Sequence, residues 1–170
     1  MISPDYVRQM ARYNAWQNAN LYGCADQLSE EERKRERGAF FGSVQGTLAH
    51  LLFGDQTWMH RLTGSPKPRA GSIAESVHAY PNWLELKAER TAFDAVISEW
   101  AASLDQSALE GDLRWFSGLA QRDFVMPRWV LVSHMFNHQT HHRGQVHCML
   151  TQAGKRPGIT DMLFAPPEGA

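Results

Sequence analysis

One segment constrains the fold of this chain more than any other, because residues 127 to 154 read as a single long helix that carries five of the eight histidines. Pro127 suits the first helical turn, and Gly154 with Pro157 just beyond it marks the end. Burying several imidazole rings without partners is costly, since each carries at least one polar nitrogen. A fold built on this helix must therefore expose the rings or give them a common partner.

Two of these histidines, His138 and His142, lie four residues apart and share one helix face. A rotation of about 100° per residue places Met149 about 20° and Met135 about 60° from His138, so the pair lies on an apolar stripe. Both rings lean the same way along the helix and can ligate one ion. The competing interpretations are a chance pair on a histidine-rich helix and a solvent-facing cluster on a rotated helix.

A third donor is needed, because two histidines make a weak metal site. His50 is the best candidate, since it lies among leucines in a second helical segment, Ser43 to Leu62. Its neighbours one turn away are Gly46 and Gly54. A glycine inside a helix costs about 1 kcal/mol relative to alanine. The two glycines therefore indicate either close helix packing or space for an ion and its ligand.

Capping residues, apolar periodicity and Gly/Pro breaks divide the chain into four long helical segments. They run from Ser3-Pro4 to about Leu28, from Ser43 to Leu62, from Asn82 through Leu104 and from Pro127 to Gly154. A capping box at Ser29 and Glu32 predicts a short extra turn. The stretch from Thr63 to Pro81 predicts a long crossover, and the changed periodicity between Gly111 and Met126 predicts a small hairpin. We expect an all-α four-helix bundle with these two additions, as a single domain over residues 1–170.

Composition excludes several classes of protein. The chain of 170 residues is 43% apolar and 21% charged with a net charge of −1, which is ordinary for a globular domain and does not favour a nucleic-acid partner. The basic residues between Glu30 and Arg37 alternate with glutamates, as in a solvated segment. Two cysteines are too few for a disulfide framework. With neither a signal peptide nor an apolar stretch that could span a bilayer, we expect a cytoplasmic protein without a membrane partner.

Three stretches of the sequence resemble the DinB/YfiT-like family of metal-dependent enzymes. They are Tyr13-Asn14-Ala15-Trp16, then Thr47 to Leu52 with Asp55 following, and Asn137 to Gln145. The resemblance implies a four-helix bundle with a three-histidine site, which maps onto His50, His138 and His142. It also implies zinc or nickel as the bound metal, a homodimer, and a small-molecule substrate with a low-molecular-weight thiol as a co-substrate.

Three neutral imidazoles leave a divalent ion at least one open position, which is typical of catalytic sites. Such an ion can activate a water for hydrolysis or a thiol for transfer. No carboxylate lies on either ligand face to act as a base, which slightly favours the thiol route. A metal-dependent transferase or hydrolase is therefore the leading hypothesis, and a non-catalytic metal-binding stress-response protein is the alternative. The sequence leaves open the roles of His134, His141 and Arg61, the last of which could contact an anionic substrate.

Overall fold

The structure, a computed structural model, describes residues 1–167. Within these residues the fold is mostly helical, with one two-stranded antiparallel sheet. The helices are α1 (Pro4–Ala25), α2 (Glu30–Lys34), α3 (Val44–Thr63), α4 (Ile73–Ser76), α5 (Trp83–Ser103) and α6 (Arg128–Gln152). The strands are β1 (Asp112–Ser117) and β2 (Arg122–Pro127), and two 3-10 turns span Gln106–Leu109 and Met162–Phe164. The predicted helical class and the predicted hairpin are confirmed, and the small sheet makes "all-α" too strict a description.

All four long helices begin within one residue of the predicted start, and three of them have a side-chain cap. The side-chain oxygens of Ser3, Ser43 and Asn82 accept hydrogen bonds from backbone N–H groups three residues further on. The predicted end of the first helix at Leu28 was too late, because the N–H groups of Gln27 and Leu28 bond to carbonyls three residues back and close a tighter turn. The regular helix therefore ends at Ala25.

The four long helices pack as two pairs, α1 with α5 and α3 with α6. The pairs contact each other through α1 with α6 and α3 with α5. The crossover between α3 and α5 contains the short helix α4, which the sequence did not predict and which packs on α3. The hairpin pairs Trp115 with Phe124 and leads directly into α6. No helix in the described part of the chain is long and apolar enough to cross a membrane.

A layer of buried polar side chains lies between two apolar clusters of the core. One cluster uses the C-terminal halves of α1 and α6 with the N-terminal halves of α3 and α5, and the other cluster uses the opposite halves. All four long helices contribute to the layer, which contains Asn14, Asn18, Asp55, Arg90, Asp94, Gln139 and Arg143. Buried charges need partners. Accordingly Arg90 forms ion pairs with Asp55 (2.6 Å) and Asp94 (2.8 Å).

Candidate metal centre

Three imidazole nitrogens converge where α3 packs against α6. Nε2 of His138 lies 3.4 Å from Nε2 of His50 and 3.1 Å from Nε2 of His142. The three residues each offer one ring nitrogen, and these nitrogens all lie within 4.8 Å of one another. Within residues 1–167, no Cys, Asp or Glu ligand atom joins this group. The structure thus brings together the three side chains that the sequence singled out, and their role as metal ligands stays a prediction.

The outer nitrogens of two of these rings are already used by neighbouring side chains. The hydroxyl of Ser76 donates to the carbonyl of Ile73 (2.6 Å), so its oxygen is left to accept a hydrogen bond from Nδ1–H of His50 at 3.0 Å. Likewise Nδ1–H of His142 donates to Oε1 of Gln145 at 2.7 Å. A proton on Nδ1 of a neutral imidazole leaves Nε2 with a free lone pair. Both rings therefore present acceptors, not donors, to the centre.

The spacing of the nitrogens fits a metal ion. Lone pairs that face each other at 3.1 Å and 3.4 Å repel unless a proton or a cation lies between them. Nitrogen ligands at about 2.0–2.1 Å in tetrahedral geometry stand roughly 3.3 Å apart. A single proton on Nε2 of His138 could satisfy one neighbour fully but not both. A divalent ion satisfies all three rings, so the donor set fits that group.

Burial keeps these rings neutral. Loss of solvation, with a smaller contribution from the neighbouring His142, lowers the pKa of His50 to about 4. Burial and the surrounding histidines lower the pKa of His138 to about 3. Burial also lowers the pKa of His142, against an opposing effect of its hydrogen bond to Gln145. The neutral imidazole is the form that ligates metals, so the site is prepared for a cation.

Gly54 and Gly46 serve close packing. A β-carbon at Gly54 would lie 3.0 Å from Cε1 and 3.3 Å from Nδ1 of His138, so the glycine makes room for that ring. A β-carbon at Gly46 would lie 2.8 Å from the carbonyl oxygen of Phe41. Of the two explanations that the sequence left open, the structure supports close packing, because each β-carbon would meet protein atoms at these distances.

Aromatic side chains cover one side of the cluster. The ring of Phe41 stacks on His50 with centroids 3.7 Å apart and lies 5.2 Å from the ring of His142. These two histidines are only 4% and 7% exposed. His138 is more accessible, and its ring lies 5.8 Å from that of the exposed His134. The cluster is therefore least covered on the side of His138.

Within residues 1–167 no carboxylate joins the three rings, and the candidate carboxylates bond to other side chains. Asp55 is buried and accepts a hydrogen bond from Nε2 of Gln139 at 2.7 Å, next to His138 in the chain. Burial raises the pKa of Asp55, while its partners Arg90 and Gln139 oppose that shift. Asp5 forms an ion pair with Arg8 on the surface, and Asp26 accepts hydrogen bonds from Trp83 and Lys87. The sequence indicated no carboxylate on either ligand face, but it did not reveal the partners of Asp55.

The remaining candidates take different positions. His141 is exposed, and its ring centroid lies 4.8 Å from that of His142. Sequence reasoning missed Ser76, because this residue lies in the crossover, where no periodicity marks a helix. Arg61 lies further along α3, against the rings of Trp58 and Trp115.

The comparisons with known proteins agree with this fold. The chain matches the DinB family over residues 1–168. It is 24% identical over 157 residues to "Protein DinB" of Bacillus subtilis (strain 168), and the matched region covers 92% of this chain and 91% of that protein. It also resembles the crystal structure of a DinB-like protein from Bacillus cereus ATCC 10987, with a TM-score of 0.61 and 17% identity over 85% of this chain and 91% of that chain.

The mostly helical fold and the three-histidine cluster suggest a protein with a metal site between helices. The chain belongs to the DinB family. The resemblance seen in the sequence is therefore confirmed.

Proposed function

We propose that this protein is a metal-dependent enzyme of the transferase or hydrolase type, with His50, His138 and His142 as the ligands of one divalent ion. The observation that carries the proposal is the convergence of three Nε2 atoms, two of which belong to rings whose Nδ1–H is already bonded elsewhere. Membership of the DinB family supports it. Zinc and nickel are the metals we favour, since both accept imidazole ligands.

The chain's own residues prepare the site for catalysis in three ways. Ser76 and Gln145 fix the ring orientations, Phe41 excludes water from one side, and the side of His138 stays accessible. A bound ion would supply Lewis acidity that lowers the pKa of a coordinated water or thiol. Since no carboxylate joins the cluster within residues 1–167, we favour a low-molecular-weight thiol as co-substrate over hydrolysis, which benefits from a separate base.

Several wider features belong to the same proposal. We infer that the four long helices form a four-helix bundle, that the chain works as a homodimer in the cytoplasm, and that its substrate is a small molecule. The contacts among α1, α3, α5 and α6 support the first of these. We propose no nucleic-acid or membrane partner.

Elemental analysis of the purified protein tests the site. We expect about one zinc or nickel per chain in the wild type and a loss of most of it in His50→Ala. His78→Ala is the matched control, because the exposed ring of His78 is not part of the cluster and its loss should leave metal content unchanged. Full metal content in His50→Ala would refute the assignment of the ligands.

A screen with thiols and electrophilic or ester substrates, run on the same samples, tests catalysis. Turnover that requires the metal and vanishes in His138→Ala is the expected result. A protein that binds one metal ion, melts at a much lower temperature after chelation and turns over no substrate would instead be the non-catalytic stress-response protein named as the alternative.

A further inference from the structure

Arg61 lies against two tryptophans further along α3 than the histidine cluster. Its guanidinium carbon lies 4.6 Å from the ring centroid of Trp58 and 5.8 Å from that of Trp115. The two indole rings meet edge to face with centroids 5.6 Å apart, and Trp115 stacks on Phe124 across the hairpin at 5.4 Å. One helix and the hairpin thus build an aromatic wall with Arg61 against the two indoles, while Arg122 lies 4.6 Å from the ring of Phe124 at the other end of the wall.

The charge of Arg61 has no carboxylate partner within the described residues. Arg61 is half-buried, and burial lowers its pKa without an opposing carboxylate. By contrast, Arg69 lies 4.4 Å from the ring of Tyr80 and also pairs with Glu85 at 2.6 Å. A cation withdrawn from water without a counter-ion is unfavourable, and stacking on indole recovers only part of that free energy. The geometry therefore leaves the guanidinium able to bind an anion.

The aromatic wall is continuous with the metal centre. The ring of Trp58 lies 5.0 Å from that of His134, which lies 5.8 Å from that of His138. Along α3, Arg61 follows His50 by three turns, about 16 Å between Cα atoms, within about 20° of the same face. Arginine side chains on a helix point back toward the N-terminus, so its head lies nearer the cluster than its Cα does.

We propose that Arg61 binds a carboxylate on the substrate, while Trp58 and Trp115 contact the substrate's aromatic or apolar body. The planar fork of a guanidinium matches the two oxygens of a carboxylate, and one positive charge balances one negative charge. A phosphate monoester carries up to about two negative charges at neutral pH, so one arginine would leave charge unbalanced. That the reacting group of this substrate lies at the three histidines rests on the proposed function. The carboxylate subsite itself does not.

Ligand binding to chelator-treated protein tests the subsite without the metal. The probes are 3-phenylpropanoate and its neutral amide. Their binding is measured by calorimetry and by the NMR signals of the indole N–H groups. We expect the acid to bind the wild type at least tenfold more tightly than the amide. Arg61→Met should abolish this preference, while Arg61→Lys should retain part of it, because lysine keeps the charge but lacks the fork.

Arg69→Met is the matched control, since it also removes an arginine from an aromatic face and should leave the preference intact. Equal binding of acid and amide to the wild type would overturn the proposal even if Arg61→Met failed to fold. So would a full preference in a folded Arg61→Met, or tighter binding of phenyl phosphate than of the acid. If Arg61 had only a structural role, Arg61→Met would change the melting temperature but not the difference in affinity between the acid and the amide.

Comparing these titrations in metal-free and metal-loaded protein separates this proposal from the proposed function. A preference for the acid that depends on Arg61 in the metal-free protein supports the subsite even if the purified protein holds no metal. Conversely, metal binding by the three histidines without this preference would overturn the subsite and leave the proposed function standing.

Discussion

The hydroxyl oxygen of Ser76 lies 3.0 Å from Nδ1 of His50, so a residue of the crossover orients a side chain of the three-histidine cluster. Ser76 is fully buried, and its own hydroxyl proton is directed to the carbonyl of Ile73. The crossover therefore does more than connect α3 to α5, because its short helix α4 fixes the tautomer of a histidine that lies on another element.

Ser76→Ala should lower metal affinity by about ten- to hundredfold, the usual cost of losing a partner of a ligating histidine. Competition with a fluorescent chelator would measure it. Ser98→Ala is the control, since the Ser98 hydroxyl donates to the carbonyl of Asp94 on α5 and has no part in the cluster. An affinity in Ser76→Ala equal to that of the control would show that His50 does not depend on this contact.

Gly54→Ala should weaken metal binding by displacing the ring of His138, since the added β-carbon would lie 3.0 Å from Cε1. Alanine favours helix by about 1 kcal/mol over glycine, so stability of the metal-free variant should fall little. Gly144→Ala is the matched control, because its β-carbon would meet no atom within 4 Å. Metal titration and denaturant unfolding of both variants check the prediction, which fails if Gly54→Ala binds metal as tightly as Gly144→Ala.

Asp55→Ala should destabilise the fold by about 3–5 kcal/mol, because it leaves Arg90 buried with one of its two carboxylate partners missing. Urea unfolding measures the change. Glu30→Ala removes an exposed carboxylate that pairs with Lys34 and should leave the unfolding midpoint unchanged. A loss in Asp55→Ala no larger than in Glu30→Ala would contradict the importance of the buried pair.

The metal-free protein should lose stability as the pH falls from about 6.5 to about 4. Burial lowers the pKa of His50 to about 4 and that of His138 to about 3, whereas an unfolded imidazole titrates near 6.5. Below pH 6.5 the unfolded chain thus binds protons that the folded chain does not, so the free energy of unfolding decreases as the pH is lowered.

Urea unfolding at pH 7.5 and pH 5 would measure this change. Each ring should contribute about 2 kcal/mol, so the wild type should lose on the order of 4 kcal/mol more between these pH values than the double variant His50→Gln/His138→Gln, which lacks both titrating rings. Equal losses in the two proteins would show that the rings are not held neutral by the fold.

Much of this organisation was predictable because it depends on local spacing. The caps at Ser3, Ser43 and Asn82 are signals within a few residues, and the pair His138 and His142 follows from helical periodicity. The choice of His50 used the same reasoning together with the need for a third donor, and the fold places it beside the pair.

The rest depends on contacts between distant parts of the chain. Nothing near Ser76 in the sequence indicates that it meets His50, and the buried partners of Asp55 lie on α5 and α6. The two possible reasons for Gly54 could be separated only when the position of the His138 ring was known. In each case periodicity reveals the face on which a residue lies but not the atom that it meets across an interface.

The buried polar layer also sets how far the long helices can slide past one another. A shift of α3 along α6 by one turn, about 5.4 Å, would separate Asp55 from Gln139 and leave charged groups without partners in the interior. The layer therefore fixes the position of α3 along α6, and it keeps the ring of His50 next to those of His138 and His142 in the metal-free chain. Residues outside the three rings thereby decide whether the proposed ligands meet at one point.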